Sequence, residues 1–319
     1  MKVVILGKGE MLSNLIEGVL EAGCEIAGVF RYERTVMPSW LLAFRDFFKS
    51  SSDVTLIKKY KLHEIKCSSA NSQEFKKEIL RLNADIILVG TWKEKLSKEI
   101  INLPVIASVN VHPSFLPEYR GPNPYLQTIL NGESESGVTF HLINEEFDKG
   151  AILLQEKIKI YPDDTSKELK ARTVYQARLM CTELLKKLEH GLIIPIEQKE
   201  GSYFPNIKSQ DMMLDFEAEN AEKIHARIRA LHPWLPCYVT YKNKFFIINP
   251  YKLKILNEIQ IANILKFSNN KNVGDIIRSN YKASSITVLC NDNRAIRMDG
   301  VKLYGIFKPF TRLFIKYCL

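Results

Sequence analysis

Residues 2–7, KVVILG, form an apolar run too short for a helix and closed by Gly7 and Gly9, which predicts a buried strand followed by a turn. The next stretch, MLSNLIEGVLEAG, carries apolar residues at helical spacing and stops at Gly23. CEIAGVF (24–30) and ADIILVG (84–90) predict two more strands, the latter preceded by the helical stretch SQEFKKEILRLN. Strands alternating with helices imply a parallel α/β sheet. A further run, PVIASVNVH (104–112), ends on Asn110 and His112, whose spacing puts both side chains on one face of a strand. GVTFHLI (137–143) and AILLQEKIKI (151–160) flank the acidic loop NEEFDKG, and Thr165-Ser-Lys-Glu168 is a capping box that opens a long helix to about Gly191.

This α/β pattern closes near residue 206. Past the link IKSQDMMLDFEAEN come a helix, AEKIHARIRALH, and short strand-like runs: CYVTYKNKFFIIN, a turn at Gly274, SITVLCNDNRAIRM and VKLYGIF. We expect two domains, 1–206 and 207–319, the second a small β-barrel. Gly7-x-Gly9 after the first strand invites a dinucleotide fingerprint, but position 12 is Leu and the second strand ends on Phe30 and Arg31 instead of an acidic residue. The glycines are better read as a tight-turn device.

Composition adds constraints. At 319 residues, 46% hydrophobic and 25% charged, the chain has an ordinary globular balance. It has no signal-like N-terminus and no apolar run of spanning length, so a cytosolic location and no membrane contact are expected. The six cysteines form no CxxC pair and the six histidines lack ligand spacing, so neither a disulfide framework nor a metal is expected. Of the 45 Lys+Arg and 36 Asp+Glu, residues 207–319 hold 18 and 9, which leaves residues 1–206 balanced at 27 each. The whole net charge of +9 therefore lies in the C-terminal third, where it favours polyanions or simply keeps a solvated face.

The densest chemistry is in Asn110-Val-His112-Pro-Ser114-Phe-Leu116-Pro117-Glu-Tyr-Arg120-Gly121, just past a buried strand, where α/β sheets place their ligands. A second polar loop follows another strand and carries Asp148 between Phe147 and Gly150, a carboxylate able to orient and tune His112. Together these segments resemble the folate-dependent formyltransferase family. NVHPSFLPEYRG is similar to its Asn-x-His-x-Ser-Leu-Leu-Pro-x-(Tyr/Trp)-Arg-Gly motif, and GVTFHLINEEFDKGAIL to its second signature ending in Asp-x-Gly. The resemblance runs into the C-terminal part, where AEKIHARIRALHPWLPCYV is similar to the helix and Pro-Trp turn of the methionyl-tRNA members.

That resemblance implies a Rossmann-like catalytic domain followed by an OB-like barrel. It also implies 10-formyltetrahydrofolate as co-substrate and Asn110, His112 and Asp148 as the catalytic trio. Backbone groups of Gly90, Thr91 and Trp92 would meet the pterin ring, Ser114, Leu116 and Pro117 would lie near the substrates, and Arg120-Gly121 would shape the mouth. The chemistry suits these residue types. An amine attacking a formyl carbonyl builds negative charge on oxygen, which Asn110 and His112 can stabilise, while the Asp148 carboxylate takes or relays the amine proton.

The acceptor expected is initiator methionyl-tRNA, with a nucleotide-linked amino sugar as the alternative. In one place the chain departs from the tRNA enzymes: their Gly- and Arg-rich loop is replaced by FRYERTVMPSW (30–40) and LLAFRDFFKSSSD. We expect that segment to be an amphipathic helix burying Trp40, Phe44, Phe47 and Phe48, although its Arg31, Arg34 and Arg45 could meet phosphates and its rings could stack on a base. Arg-Gly-Pro-Asn-Pro at 120–124 leans toward the sugar enzymes. A formyltetrahydrofolate hydrolase would use the same trio with water, but the chain starts directly on its first strand with no regulatory module. A non-catalytic RNA-binding module would have no need of all three residues.

Overall fold

The structure, a computed structural model, describes residues 1–48, 51–241, 244–268, 272–280, 282 and 284–303, with backbone only at 241 and 244. Contacts divide the chain into two compact units. The first is Met1–Pro124, Glu135–Lys159 and Lys170–Phe204; the second is Tyr125–Ser134, Ile160–Leu169 and the chain from Pro205 onward.

In chain order the elements up to residue 189 are β1 (Lys2–Gly7), α1 (Gly9–Glu21), β2 (Glu25–Arg31), α2 (Glu33–Val36), α3 (Ser39–Phe48), α4 (Ser52–Lys59) and α5 (Gln73–Leu82), then β3 (Ile86–Gly90), α6 (Lys98–Ile101), β4 (Ala107–His112), α7 (Pro124–Leu130), β5 (Glu135–Leu142), β6 (Ile152–Lys159) and α8 (Ser166–Glu189). The strands form one sheet in the order β2-β1-β3-β4-β5-β6. The first four are parallel, as the helical crossovers require, whereas β5 and β6 run antiparallel. Residues 143–151 are too few for a crossover between β5 and β6, so that pair must turn back on itself.

The order 2-1-3-4 reverses direction between β1 and β3, which opens a crevice at their carboxyl ends. There Gly7 pairs with Gly90 so closely that a Cβ on Gly7 would lie 2.5 Å from the Gly90 carbonyl oxygen. One sheet face, with Val4, Leu6, Phe30, Ile87 and Val89, packs on Phe75 and Ile79 of α5, each contributing roughly 1.5–3 kcal/mol by burial. On α1, a Cβ at Gly18 would meet the Cys181 Cβ of α8 at 2.9 Å, and Thr182 donates to the Gly18 carbonyl at 3.0 Å.

The failed dinucleotide fingerprint has a structural counterpart. The α1 N-terminus, where such folds hold a pyrophosphate, is taken by the buried Asp53 carboxylate, which accepts from the Gly9 N–H at 3.1 Å. At α8 half of the expected capping box forms: Glu168 reaches back to accept from the Thr165 N–H at 3.0 Å, whereas Thr165 Oγ1 accepts from the Lys167 N–H at 3.2 Å, and Gly191 lies past the helix end at φ 65°.

In the second unit, α9 (Ala221–Leu231) is N-capped by Asn220, which accepts from the Lys223 N–H. A short 3-10 turn at Ser209–Met212 precedes this helix, and the strands β7 (Tyr238–Tyr241), β8 (Lys244–Ile247), β9 (Leu253–Leu256), β10 (Ile276–Asn280), β11 (Ser285–Leu289), β12 (Ala295–Met298) and β13 (Lys302–Leu303) follow, with α10 (Glu258–Leu265). They pair antiparallel, in one sheet ordered β10-β11-β12-β9 and another ordered β13-β8-β7. Register aligns Arg278, Thr287, Arg297 and Lys254 in one row across the larger sheet. Beside it Leu256, Leu289 and Ala295 pack with Ile261 of α10. The tail FKPFTRLFIKYCL, which the sequence leaves open between helix, strand and partner segment, lies outside the described residues. No described helix is long and apolar enough to cross a membrane.

Candidate active site

Strand β4 carries Asn110 and His112 to the carboxyl edge of the sheet, opposite β5, where Asn110 pairs with His141 and His112 with Thr139. The loop after β5 brings Asp148 back over them, with Asp148 in the left-handed region at φ 58°. Gly150 fixes that return, because a Cβ there would collide with the Leu142 carbonyl oxygen at 1.8 Å. Asn110, His112 and Asp148 thus meet in one cluster together with His141, in which Asn110 bonds His141 and His112 faces Asp148.

The partners dictate the protonation states. His112 Nε2 faces the Tyr119 carbonyl at 2.9 Å, and a carbonyl can only accept, so Nε2 carries a proton. Its Nδ1 stands 3.4 Å from Asp148 Oδ1, an attractive contact when Nδ1 is protonated as well. The other carboxylate oxygen accepts from the Gly121 N–H at 3.1 Å. Burial raises the Asp148 pKa, but the charge of His112 and the hydrogen bonds from His112 and Gly121 outweigh it and hold the carboxyl down at about 2. His141 donates from Nδ1 to the Leu142 carbonyl at 2.8 Å, so its Nε2 accepts from Asn110 Nδ2 at 3.0 Å. Burial, with His112 nearby, lowers the His141 pKa to about 4, so this ring is neutral near pH 7.

The loop after β4 is held from beneath and from the side. Thr139 Oγ1 donates to the Ser114 carbonyl at 2.8 Å and accepts from the Leu116 N–H at 3.1 Å, while Gln155 donates to the Leu116 carbonyl at 2.6 Å. Ser114 and Leu116 are fully buried and build the loop from inside, while Pro117, which follows a cis peptide bond, is half-buried. A strap of residues 198–204 ties down its far end. Arg120 exchanges backbone hydrogen bonds with Ser202 and Phe204, and its guanidinium donates to Gln198 Oε1 at 2.7 Å. Gln198 in turn donates to the carbonyls of Asp148 and Gly150 at 3.0 and 2.7 Å.

Asn110, His141 and Asp148 line an open pocket of about 480 Å³ including its mouth, whose apolar walls include Val89, Trp92 and Phe147. Of the residues expected around a pterin, Trp92 borders this pocket and packs on Phe30 and Tyr32, and its Nε1 is buried without a hydrogen-bond partner. Gly90 is buried at the β3 end, where a Cβ would meet Leu15 and Met11 at 2.8 Å. Thr91 is exposed and holds φ 59°, a conformation that costs a β-branched residue about 1–2 kcal/mol.

His141, Gln155 and Gln198 escaped the sequence reading. A signal existed for His141: Thr139 and His141 are the polar pair at alternate positions of GVTFHLI, mirroring Asn110 and His112 on the neighbouring strand. Only the strand register joins the two pairs, and register is not written in one strand's pattern.

The segment 31–48 corrects an expectation. It is helical at α3, but Trp40 and Phe47 are 73% and 82% exposed, and Phe44 and Phe48 are exposed too. The inward side of α3 is taken by Leu42 and by Asp46, which accepts from buried Arg31 at 2.7 Å. With that side committed to an ion pair, the aromatic side faces solvent. The arginines that the sequence leaves able to meet phosphates are engaged as well: Arg31 and Arg34 share Glu64, and Arg45 pairs with Asp46.

Comparison with known proteins bears on this site. The formyl transferase family matches residues 1–185, and the formyl transferase C-terminal domain matches residues 206–305. A methionyl-tRNA formyltransferase of Caldanaerobacter subterraneus subsp. tengcongensis is 30% identical over 312 residues, 96% of this chain and 95% of that protein. Among solved structures, the N-formyltransferase of Helicobacter canadensis, in complex with folinic acid and dTDP-3-aminofucose, superposes with a TM-score of 0.65 at 20% identity. That match covers 94% of this chain and 99% of the other. HypX from Aquifex aeolicus, in complex with tetrahydrofolic acid, gives 0.59 at 17% identity, covering 93% of this chain and 43% of that one. Both structural likenesses concern the fold.

Proposed function

The chain belongs to the formyl transferase family, and on that premise we propose that it transfers the formyl group of 10-formyltetrahydrofolate to the amino group of methionyl-tRNA. The observation that carries this reading is the cluster of Asn110, His112 and Asp148 at the edge of a pocket with apolar walls. Val89, Trp92 and Phe147 suit a flat heteroaromatic ring. The acceptor rests on the full-length relative and on the basic second unit. There Arg278 and Arg297 line a groove with Thr287, Asn280 and the exposed Phe267, a surface fit for phosphates and a stacked base.

In the proposed reaction the amine nitrogen attacks the formyl carbon, and the carbonyl oxygen takes up negative charge. Asn110 donates an N–H to that oxygen, and His112, with Nδ1 3.4 Å from Asp148 Oδ1, holds the carboxylate beside it. As the new C–N bond forms, the nitrogen becomes ammonium-like and releases a proton. The Asp148 carboxylate, which borders the pocket, receives this proton in transit and returns it to the departing folate nitrogen as the old C–N bond breaks. A resting pKa of about 2 makes protonated Asp148 a passing state only. The products are the N-formyl amine and tetrahydrofolate, with no covalent enzyme intermediate.

The test is an acceptor panel. Charged initiator methionyl-tRNA, nucleotide-linked amino sugars and buffer alone are each offered with 10-formyltetrahydrofolate. Formylation of the tRNA supports the proposal. Transfer to a sugar alone would make that the substrate, and release of formate without any amine would make the protein a hydrolase.

A further inference from the structure

The Asn110 amide can face the pocket in two ways, with its nitrogen or its oxygen toward His141, and only one suits an oxyanion. Which of them is populated is decided outside the catalytic trio. His141 is 3% exposed and sits on β5 directly opposite Asn110 in the strand register. The Leu142 carbonyl, 2.8 Å from Nδ1, demands a proton on that nitrogen. In the neutral ring this leaves Nε2 as a bare acceptor, and the amide nitrogen of Asn110 lies 3.0 Å from it. Resting on the functional reading above, we propose that His141 is a positioning residue, whose Nε2 pins one N–H of Asn110 so that the second N–H is available to the formyl oxygen.

The opposite arrangement would follow protonation of the ring. Nε2 would then donate, the amide would turn its oxygen to His141, and its N–H pair would leave their place. Three groups around His141 bear on this: His112 on β4, Asp148 in the loop after β5 and Arg120 in the loop after β4. Burial, His112 and Arg120 oppose a positive charge on the ring, and the Leu142 carbonyl and Asp148, 3.9 Å from Nε2, favour it. The pKa of about 4 gives the outcome of that balance, so the pinned arrangement holds across neutral pH. The polar pair on β5 thereby plays two parts, with Thr139 holding the loop after β4 and His141 orienting the amide.

The test is a double-mutant cycle with histidine NMR beside it. His141→Phe keeps the ring volume and removes the acceptor, and kcat should fall about tenfold or more, since mispositioning an oxyanion donor forfeits much of its effect. The KM for 10-formyltetrahydrofolate should change little. In an Asn110→Ala background the same replacement should cost almost nothing further, because its effect passes through Asn110. His141→Gln, whose amide oxygen can accept, should recover part of the rate, and it carries the cycle if His141→Phe does not fold. On 15N-histidine-labelled protein at neutral pH the His141 signals should report a neutral ring protonated at Nδ1. This readout needs no turnover and stands apart from the identity of the acceptor. The proposal is overturned by an unchanged kcat, by an equal loss with and without Asn110, by a Gln variant as slow as the Phe variant, or by a ring protonated at Nε2.

Discussion

Replacing Gly150 with Ala should disable the site without touching any of its charged groups. An added Cβ would lie 1.8 Å from the Leu142 carbonyl oxygen and 2.7 Å from its carbon, and both are backbone atoms that cannot rotate away. Restoring an ordinary contact means a retreat of about 1.5 Å by one strand or the other. Leu142 is tied on both sides: its N–H donates to the Ala151 carbonyl at 2.9 Å, and its carbonyl accepts from His141 at 2.8 Å. The displacement therefore falls on the loop that holds Asp148, two residues away, and lengthens the 3.4 Å approach to His112. Misplacement by about 1 Å costs roughly 10²-fold in a positioned reaction. Overpacking should also lower stability by about 1–3 kcal/mol. Single-turnover formyl transfer and urea unfolding, run on the same preparation, read the two effects. A variant within about threefold of the parent rate would refute the argument that this backbone contact sets the carboxylate.

Asp148→Asn should lower kcat by roughly 10²-fold or more, through loss of a positioned proton acceptor. The same variant has a pH signature. Because folding depresses the Asp148 pKa from 3.8 to about 2, the ionised group contributes about 2 kcal/mol above pH 4, an advantage lost as pH falls through 2. Urea midpoints of parent and variant should therefore converge in acid and differ at neutral pH. Arg31→Met should destabilise the first unit by about 3 kcal/mol, the low end for a buried ion pair, since Arg34 and Arg45 still partner Glu64 and Asp46; chemical denaturation measures it. Affinity for methionyl-tRNA should fall steeply with salt, and Lys254→Ala with Arg278→Ala should each lower the slope of log K against log salt by about one. A flat salt response would remove phosphate contacts from the account.

Much of the fold was legible because its signals are local. KVVILG, ADIILVG and PVIASVNVH are apolar runs that can only be buried strands of an α/β sheet, and Thr165 with Glu168 announces the helix that follows. The antiparallel turn between β5 and β6 follows from loop length, which is a local property as well. What the sequence hid was non-local. Asp53 fills the α1 N-terminus from 44 residues away, and Gln198 supports Asp148 from 50. His141 was in view but unassigned, because its partner is fixed by strand register. The exposed aromatics of α3 were misjudged for the same reason: periodicity finds a helix with two faces, but Arg31 on β2 decides which face turns inward.

The most direct test of the central claim is single-turnover transfer of formyl from 10-formyltetrahydrofolate to initiator methionyl-tRNA, followed by recovery of the released amino acid. The account predicts N-formylmethionine from the parent protein, with a rate lower by roughly 10²-fold or more in Asp148→Asn. Free methionine alone, with the formyl group left on folate, passed to an amino sugar or released to water, would contradict it.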